Sequence, residues 1–334
     1  MNIMISINRA YMGYACVMLL SLKEHHKDIP LNIYILHNEL SDSDFLEMDE
    51  IIGSEGISLI PVFIPPGTVH DFQIGNWPEV AAFRLLAADL FDDSIERILH
   101  LDVDTLITGN IAELYNMSFE DNYLIACKDF LTDTVIRRKN QENCRPEDMP
   151  FFNSGVLLFN LNKLRQDGIY YSFYQEVLHK YTNLKIEYPD QDILNLVFGN
   201  KVKYADRIKY NYMPFFFKNH DTEHFYDTKE ELEHNCCILH MATGNTPWKG
   251  IYKMAANELW WEYASKTPFY QEMKLTHISN MMFMMREIEK LNNANLNKAL
   301  NKSNITEFYE YVEELLYTQI QHDLSLSNIL DNLS

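Results

Sequence analysis

The chain has 334 residues, 47% of them hydrophobic, which is enough to bury the core of a domain of roughly 250 residues and leave an appendage. Its 28 lysines and arginines are outnumbered by 48 aspartates and glutamates, for a net charge of −20, which argues against nucleic acid as a partner. Five cysteines without zinc-type spacing do not indicate a disulfide framework. We therefore expect a cytoplasmic protein, with peripheral attachment to the inner face of a membrane left open.

Short apolar runs of strand character alternate with helical patterns, an order typical of α/β domains. In chain order, the sequence predicts a strand at 2–7, a helix ending near 22, a strand at 31–37, a helix at 41–52, a strand at 57–63, a helix at 79–90 and a strand at 97–101. Later strands are predicted at 123–127, 156–160, 202–205 and 237–240, and a helix is predicted to begin at 190. The expected architecture is a mixed sheet flanked by helices.

From about residue 267 onward the pattern is helical only, so we expect a main domain over 1–265 and a helical extension over 266–334. Apolar residues recur there at helical spacing, for example Met281, Met284 and Met285, and again from Phe308 to Leu316. Such stripes pack on the main domain or on each other, or they form the surface of a homo-oligomer.

The strand at 97–101 ends on two aspartates, Asp102 and Asp104, separated by one residue. Two carboxylates so close repel each other unless a cation lies between them. Oxygen ligands of this kind suit Mg²⁺ or Mn²⁺, which commonly keep open positions for the phosphates of a substrate. The motif therefore predicts metal-assisted chemistry on a phosphorylated compound, although acidic pairs are also common on the surface of an acidic protein.

Arg84 lies among alanines on the predicted helix at 79–90. An arginine in such surroundings requires an anion. The partner is either a nearby carboxylate, such as Asp89 or Asp92 in a structural salt bridge, or a phosphate or sugar held by the guanidinium group.

His240 also emerges where a predicted strand ends, and Asp190 follows a proline at the start of a predicted helix. An isolated histidine is commonly a satisfied polar residue, but an imidazole beside Asp102 and Asp104 would favour Mn²⁺ over Mg²⁺. Asp190 has an equally simple structural interpretation as the residue that caps its helix.

Seven blocks of sequence together carry a resemblance to a known family. In chain order they are 1–3 with Tyr11, 84–85, 99–104, 126–129, 152–161, 190–195 and 240–248. The chain resembles family 8 of the retaining glycosyltransferases, which includes bacterial lipopolysaccharide galactosyltransferases and glucosyltransferases as well as glycogenin. The resemblance covers about residues 1–262. It implies a GT-A type fold, a Rossmann-like mixed sheet that binds a nucleotide sugar, with the helical extension outside it.

The resemblance also implies roles for particular residues. A Mn²⁺ or Mg²⁺ ion would be held by Asp102, Asp104 and His240. The donor nucleotide sugar would be bound by Asn8, Tyr11, Arg84, Asp102, Asp129, Asn153, Asp190 and Lys249. Catalytic roles would fall to Asn153, Asp190 and Gln191.

Two stretches depart from the family pattern. The polar pair that often contacts the nucleotide base is reduced to Asn8. In the loop after His240, the usual glycine and lysine positions hold Thr243 and Thr246, while Gly244 and Lys249 lie beside or beyond them. Binding of the diphosphate by Lys249 is therefore the weakest of the implied contacts.

The implied function is transfer of a hexose from a nucleotide sugar, UDP-glucose or UDP-galactose, to a hydroxyl group of a saccharide or lipid-linked saccharide, in the synthesis of lipopolysaccharide or another surface glycan. Retaining glycosidases place a carboxylate nucleophile under the anomeric carbon, whereas the matching place here holds Gln191, a poor nucleophile. We therefore favour attack by the acceptor from the side of the leaving group. A covalent intermediate on Asp190 stays open.

Two other functions fit parts of the sequence. The stretch from Asp102 to Thr105 also matches the nucleophile motif of haloacid-dehalogenase-type phosphatases, which use Mg²⁺ and a covalent aspartyl intermediate. The altered loop near Lys249 would also suit a non-catalytic scaffold that only binds nucleotide sugars.

Overall fold

The computed structural model describes residues 1–72, 77–131, 133–142, 145–180, 186–242, 246–250 and 254–290. The chain divides into two compact units, 1–241 and 242–334.

The first unit contains all nine described strands. They are β1 (Asn2–Ser6), β2 (Leu31–His37), β3 (Ile57–Phe63), β4 (Arg97–Leu101), β5 (Thr105–Ile107), β6 (Leu124–Lys128), β7 (Phe152–Asn160), β8 (Val202–Ala205) and β9 (Ile238–His240). Seven form one sheet in the order β3-β2-β1-β4-β7-β6-β8, and β5 pairs with β9 in a separate antiparallel ribbon. In the large sheet β7 runs antiparallel to β4 and β6, and the other neighbours are parallel. The predicted mixed α/β sheet is confirmed.

Helices flank the sheet and form the described part of the second unit. The first unit has α1 (Met12–His25), α2 (Asp42–Ile52), α3 (Ala87–Leu90), α4 (Ala112–Asn116), α5 (Asp133–Glu142), α6 (Leu161–Gln166), α7 (Tyr171–Lys180), α8 (Pro189–Phe198), α9 (Arg207–Tyr210), α10 (Pro214–His220) and α11 (Lys229–Asn235). The second unit has α12 (Ala255–Ala264) and α13 (Tyr270–Lys290). Short 3₁₀ helices lie at Arg9–Tyr11, His70–Phe72, Glu79–Leu86 and Thr222–His224.

The segment 79–90, predicted as one helix, is mostly a 3₁₀ helix. Its first eight residues form a 3₁₀ helix, and only the last turn is α-helical. Runs of 3₁₀ helix this long are uncommon and often mark a strained or functional segment. Here the segment carries Arg84, whose side-chain Nε donates to the Ala81 carbonyl one 3₁₀ turn earlier.

The topology brings several polar segments to one edge of the sheet. Because β1, β4 and β6 point the same way, the residues that follow them meet at their carboxyl-terminal edge, where ligands bind in open α/β sheets. The antiparallel β7 begins at that same edge, and its Val156 pairs with Leu101 of β4. The segments after β4 and β6, and the first residues of β7, are therefore neighbours.

The second unit packs around tryptophans. The rings of Trp248 and Trp260 lie 5.0 Å apart, and Asn280 of α13 donates to the Trp248 carbonyl at 3.2 Å. The predicted boundary after residue 265 falls between α12 and α13 and stays a prediction. The side chains of Met284 and Met285, and the stretch from Phe308 to Leu316, lie outside the described residues. Among the helices that the structure describes, none combines the length and apolar character needed to cross a membrane.

Candidate functional site

The first unit brings Asp102, Asp104 and His240 together, with one ligand atom from each lying within 4.8 Å of the others. The Nε2 atom of His240 is 3.3 Å from Asp104 Oδ1 and 4.0 Å from Asp102 Oδ2. The β5–β9 ribbon causes this proximity, because Thr105 pairs with His240 and the Met241 amide donates to the Asp104 carbonyl at 2.8 Å.

The carboxylates of Asp102 and Asp104 lie beside the His240 ring. Burial of the ring opposes its protonation, but the carboxylates of Asp104 and Asp102 outweigh burial, so the pKa of His240 is raised. A proton and a metal ion would compete for the same nitrogen, because the same carboxylates attract both. Two carboxylates and one imidazole are a donor set that suits Mn²⁺ and also accommodates Mg²⁺.

Arg84 is buried between the first of these aspartates and Asp190. Its Nη2 donates to Asp102 Oδ1 at 2.7 Å, and its Nε lies 3.2 Å from Asp190 Oδ2. Its Nη1 donates to the Ser154 carbonyl at 2.7 Å. The salt bridge suggested by the sequence therefore exists, but to two distant aspartates rather than to Asp89 or Asp92.

Asp102 is held as a carboxylate by two donors on one oxygen. Arg84 and His100 both contact its Oδ1, and the His100 Nε2 distance is 3.1 Å. Although burial of Asp102 opposes ionisation, Arg84 and then His100 outweigh burial, and the pKa of the carboxyl group lies well below its usual range. The second oxygen, Oδ2, lies on the side of His240.

His100 is a site residue that sequence reasoning missed. It is fully buried, and burial followed by the charge of Arg84 lowers its pKa, so the ring is neutral and donates through Nε2. Its Nδ1 has no hydrogen-bond partner in the described part of the chain. Strand periodicity was the available signal, because Asp102 directly follows β4 and side chains two residues apart in extended chain project to the same face.

A cluster of side-chain amides lies beside Asp129 after β6. Gln191 Nε2 donates to Asp129 Oδ2 at 3.0 Å, and Gln191 Oε1 accepts from the Ser154 amide at 3.0 Å and from Asn153 Nδ2 at 3.2 Å. Burial raises the pKa of Asp129 against the opposing effect of these hydrogen bonds. Asp129, Asn153 and Gln191 thus lie together, and their roles toward a donor sugar stay predictions.

Asp190 does not cap its helix. The residue before α8, Tyr188, makes no side-chain cap, and Asp192 Oδ2 accepts the free amides of Glu187 and Tyr188 at 2.7 and 3.0 Å. Asp190 instead faces Arg84. Among the described residues its buried Oδ2 accepts no hydrogen bond, and its contact with Arg84 Nε at 3.2 Å is an ion pair.

Gly155 allows the close approach of the metal-site residues to β7. A Cβ atom at this position would lie 2.8 Å from Asp102 Oδ2 and closer still to the ring of His240. Real side chains do not tolerate such distances, so a larger residue would push the ring or the carboxylate away.

The remaining predicted donor residues have simpler surroundings. Asn8 accepts the Tyr11 amide at 3.2 Å and caps the 3₁₀ helix after β1, at the sheet edge where Asp102 also lies. Lys249 belongs to the second unit, where its side chain is exposed and its amide donates to the Thr246 carbonyl. Thr243 and Gly244 lie outside the described residues. The donor contacts of Asn8, Tyr11 and Lys249 stay predictions.

Comparison with known proteins gives matches over most of the chain. Residues 2–252 match the family described as glycosyl transferase family 8. A glycosyltransferase-like protein of Haemophilus influenzae is 28% identical over 82% of this chain and 86% of its own length. Lipopolysaccharide 1,2-glucosyltransferase of Escherichia coli is also 28% identical, over 63% of this chain and 62% of that enzyme.

Solved structures show the same architecture. The galactosyltransferase LgtC, in complex with donor and acceptor sugar analogues, superposes with a TM-score of 0.63 over 80% of this chain and 96% of LgtC, at 23% identity. The predicted GT-A type fold is therefore confirmed.

Proposed function

The chain belongs to glycosyl transferase family 8, and we propose that it transfers a hexose from UDP-glucose or UDP-galactose to a hydroxyl group of a saccharide or lipid-linked saccharide, with retention at the anomeric carbon. The observation that carries the proposal is the meeting of Asp102, Asp104 and His240 at the sheet edge beside Arg84. Because the family match spans residues 2–252, the chain is a glycosyltransferase, and the phosphatase and scaffold alternatives are wrong.

Asp102, Asp104 and His240 would hold the Mn²⁺ or Mg²⁺ ion. When bound, such an ion stabilises the negative charge that develops on a nucleoside diphosphate as it leaves. Arg84 supports the site in two ways. It keeps Asp102 ionised, and it adds a fixed positive charge beside the carboxylates.

Buried polar groups next to the metal-site residues would orient the sugar. Asp190 is a buried carboxylate beside Arg84, and Asp129 is a carboxylate that accepts from the Gln191 amide on Oδ2 and from the Leu131 backbone amide on Oδ1. Hydroxyl groups of a hexose donate to such oxygens. The amides of Asn153 and Gln191 would help to fix the position of the ring and exclude water, which would otherwise capture the sugar.

The surroundings of Gln191 support attack from the side of the leaving group. Its Oε1 already accepts from the Ser154 amide and from Asn153, and an amide oxygen is a weak nucleophile. Asp190 lies 3.2 Å from Arg84 Nε, and this charge makes its carboxylate less nucleophilic. We therefore propose that the acceptor oxygen bonds to the anomeric carbon as the diphosphate departs, and that a departing phosphate oxygen takes the acceptor proton. Trapping of a glycosyl adduct on Asp190, detected by mass spectrometry, would refute this course.

The relatives support a setting for the reaction. The Escherichia coli relative is named as a lipopolysaccharide glucosyltransferase, and we propose by analogy that this chain acts on lipopolysaccharide or another surface glycan. We expect it to act in the cytoplasm. Peripheral membrane attachment and a homo-oligomer through the C-terminal helices stay predictions.

The test is slow release of sugar from a panel of UDP- and GDP-sugars with Mn²⁺ and no acceptor. We expect Asp104→Asn to lower the rate more than about 100-fold, because loss of a ligand exceeds the 10–100-fold effect of losing a residue that only supports one. EDTA should abolish the activity. The control is Asp93→Asn, which changes a fully exposed aspartate outside the site. Unchanged turnover in EDTA, or release of phosphate from phosphomonoesters instead of sugar, would refute the proposal.

A further inference from the structure

We infer that Asn211 is a positioning residue that holds His240 in the form able to bind a metal and, at the same time, orients Asn153 toward Gln191 and Asp129. The inference rests on the proposed function. Asn211 follows α9 and is 1% exposed. Its Oδ1 lies 2.8 Å from His240 Nδ1, and its Nδ2 donates to Asn153 Oδ1 at 3.0 Å. It therefore links the two halves of the site.

The direction of every hydrogen bond in this link follows from one backbone amide. The Gly155 N–H can only donate, and it lies 2.9 Å from Asn153 Oδ1, which identifies that atom as the oxygen of the Asn153 amide. Asn211 must donate to the same oxygen, so it presents Nδ2 to Asn153 and Oδ1 to His240. His240 Nδ1 therefore carries a hydrogen and donates.

This direction determines which nitrogen of His240 is free. Because Nδ1 keeps its hydrogen, Nε2 is the atom that can offer a lone pair, and it is the atom 3.3 Å from Asp104 Oδ1. A hydrogen bond on the opposite ring nitrogen both orients a ligating histidine and strengthens it as a ligand. Asn211 supplies that hydrogen bond from a buried position.

The other end of Asn211, its Nδ2, acts on the orientation of the Asn153 amide. With Asn153 Oδ1 occupied by two donors, Asn153 Nδ2 turns toward Gln191 Oε1 at 3.2 Å and Asp129 Oδ2 at 3.4 Å. A reversed Asn153 amide would place its oxygen against these two oxygens. It would also leave the Gly155 amide unpaired, which is costly for a buried donor.

Two substitutions distinguish the hydrogen bond of Asn211 to His240 from its hydrogen bond to Asn153. Asn211→Ala removes both hydrogen bonds. Asn211→Asp keeps an acceptor for His240 but places a second carboxylate oxygen against Asn153 Oδ1. The control is Asn160→Ala at the opposite end of β7, which also removes two amide hydrogen bonds, from the Lys163 amide at 3.2 Å and to the Asn122 carbonyl at 3.1 Å.

The first measurement is Mn²⁺ binding without nucleotide, followed by electron paramagnetic resonance, with spin-echo detection of the coordinated imidazole nitrogen. We expect Asn211→Ala to weaken Mn²⁺ binding about 10–100-fold and to reduce the nitrogen signal. Asn211→Asp should keep both the affinity and the signal, and Asn160→Ala should match the wild type. The second measurement is sugar release at saturating Mn²⁺, which Asn211→Asp should slow about 10-fold or more.

The outcomes distinguish the inference from the function on which it rests. If the wild type binds Mn²⁺ and Asn211→Ala binds it equally with the same nitrogen signal, the inference is wrong and the proposed function stands. An equal loss in Asn160→Ala would also overturn the inference, because the effect would then be a general loosening of β7. If Asn211→Ala does not fold, the test rests on Asn211→Asp. Sugar release by Asn211→Asp at the rate of the wild type would then refute the link to Asn153. A wild type that neither binds Mn²⁺ nor releases sugar would refute both proposals.

Discussion

Replacing Arg84 with methionine should destabilise the first unit through the charges of Asp102 and Asp190. Methionine keeps the apolar stem of the side chain but removes the guanidinium group. The 5% exposed arginine contacts one oxygen of each carboxylate, at 2.7 and 3.2 Å. It also donates to the carbonyls of Ser154 at 2.7 Å and Ala81 at 3.1 Å.

The magnitude follows from these four contacts. Breaking a buried ion pair by removing one partner costs about 3–5 kcal/mol, and each carbonyl that loses its donor adds roughly 1 kcal/mol. The loss is reduced because Asp102 keeps the hydrogen bond from His100 and its side chain is 27% exposed, so water replaces part of the interaction. We expect the free energy of unfolding at pH 7 to fall by about 4 kcal/mol.

The effect should also depend on pH. Arg84 lowers the pKa of Asp102 in the folded protein, so this carboxylate contributes stability that is complete above the unfolded pKa of about 3.9 and is lost as the pH falls through the folded value. In Arg84→Met the part of that contribution that comes from the guanidinium group is absent at every pH. The difference in stability between wild type and variant should therefore narrow as the pH falls below about 4.

The assay is urea unfolding followed by circular dichroism at pH 7 and at lower pH. Arg165→Met is the matched control, because Arg165 donates to two carbonyls, of Ile95 and Phe91, but its nearest carboxylate, Asp93, is fully exposed at 3.9 Å. We expect a loss of about 1–2 kcal/mol for this control and a smaller pH dependence near 4, because the carboxylates near Arg165 are exposed. The reasoning is wrong if Arg84→Met loses no more stability than Arg165→Met.

Two further substitutions test other parts of the site. Gly155→Ala should weaken Mn²⁺ binding, because the added methyl group would displace His240 or Asp102. It should also lower the free energy of unfolding by about 1–3 kcal/mol. An unchanged Mn²⁺ affinity, measured by titration followed by electron paramagnetic resonance, would contradict this. Lys139→Met should cost about 3–5 kcal/mol in urea unfolding, because the buried ammonium group lies 3.1 Å from the buried carboxylate of Asp192 at the start of α8. A loss below about 1 kcal/mol, typical of a surface pair, would show that the interaction is not needed there.

The sequence predicted the strands best where local pattern and tertiary structure agree. The bounds of β2, β3 and β8 match the prediction, because each is an apolar or β-branched run with a clear end. The first four residues of β7 were missed because Asn153, Ser154 and Gly155 have the composition of a loop. A distant residue fixes them as strand: Asn195 of α8 accepts from the Phe152 amide at 2.9 Å and donates to its carbonyl at 2.8 Å.

The site was predictable only in part for a similar reason. Asp102, Asp104 and His240 stand where strands end, and this position is visible in the sequence. The anionic partners of Arg84 were expected nearby in the chain, whereas the nearer of the two actual partners is 18 residues away. Asn211 stands between two tyrosines and gives no periodic signal. Its role depends on a loop that meets His240, 29 residues later, in the folded chain.

The backbone of β7 explains why side chains from so many elements adopt compatible orientations. The Ser154 carbonyl accepts from Arg84 and the Ser154 amide donates to Gln191, while the Gly155 amide donates to Asn153. The Gly155 carbonyl also accepts from the Asp102 amide at 2.8 Å. These four groups are fixed in direction by the strand, so they determine which end of each neighbouring amide is the acceptor. At residue 155 the strand must instead leave space, because a Cβ atom there would collide with the ring of His240 and the carboxylate of Asp102, and for this reason the residue beside the metal-site histidine is a glycine.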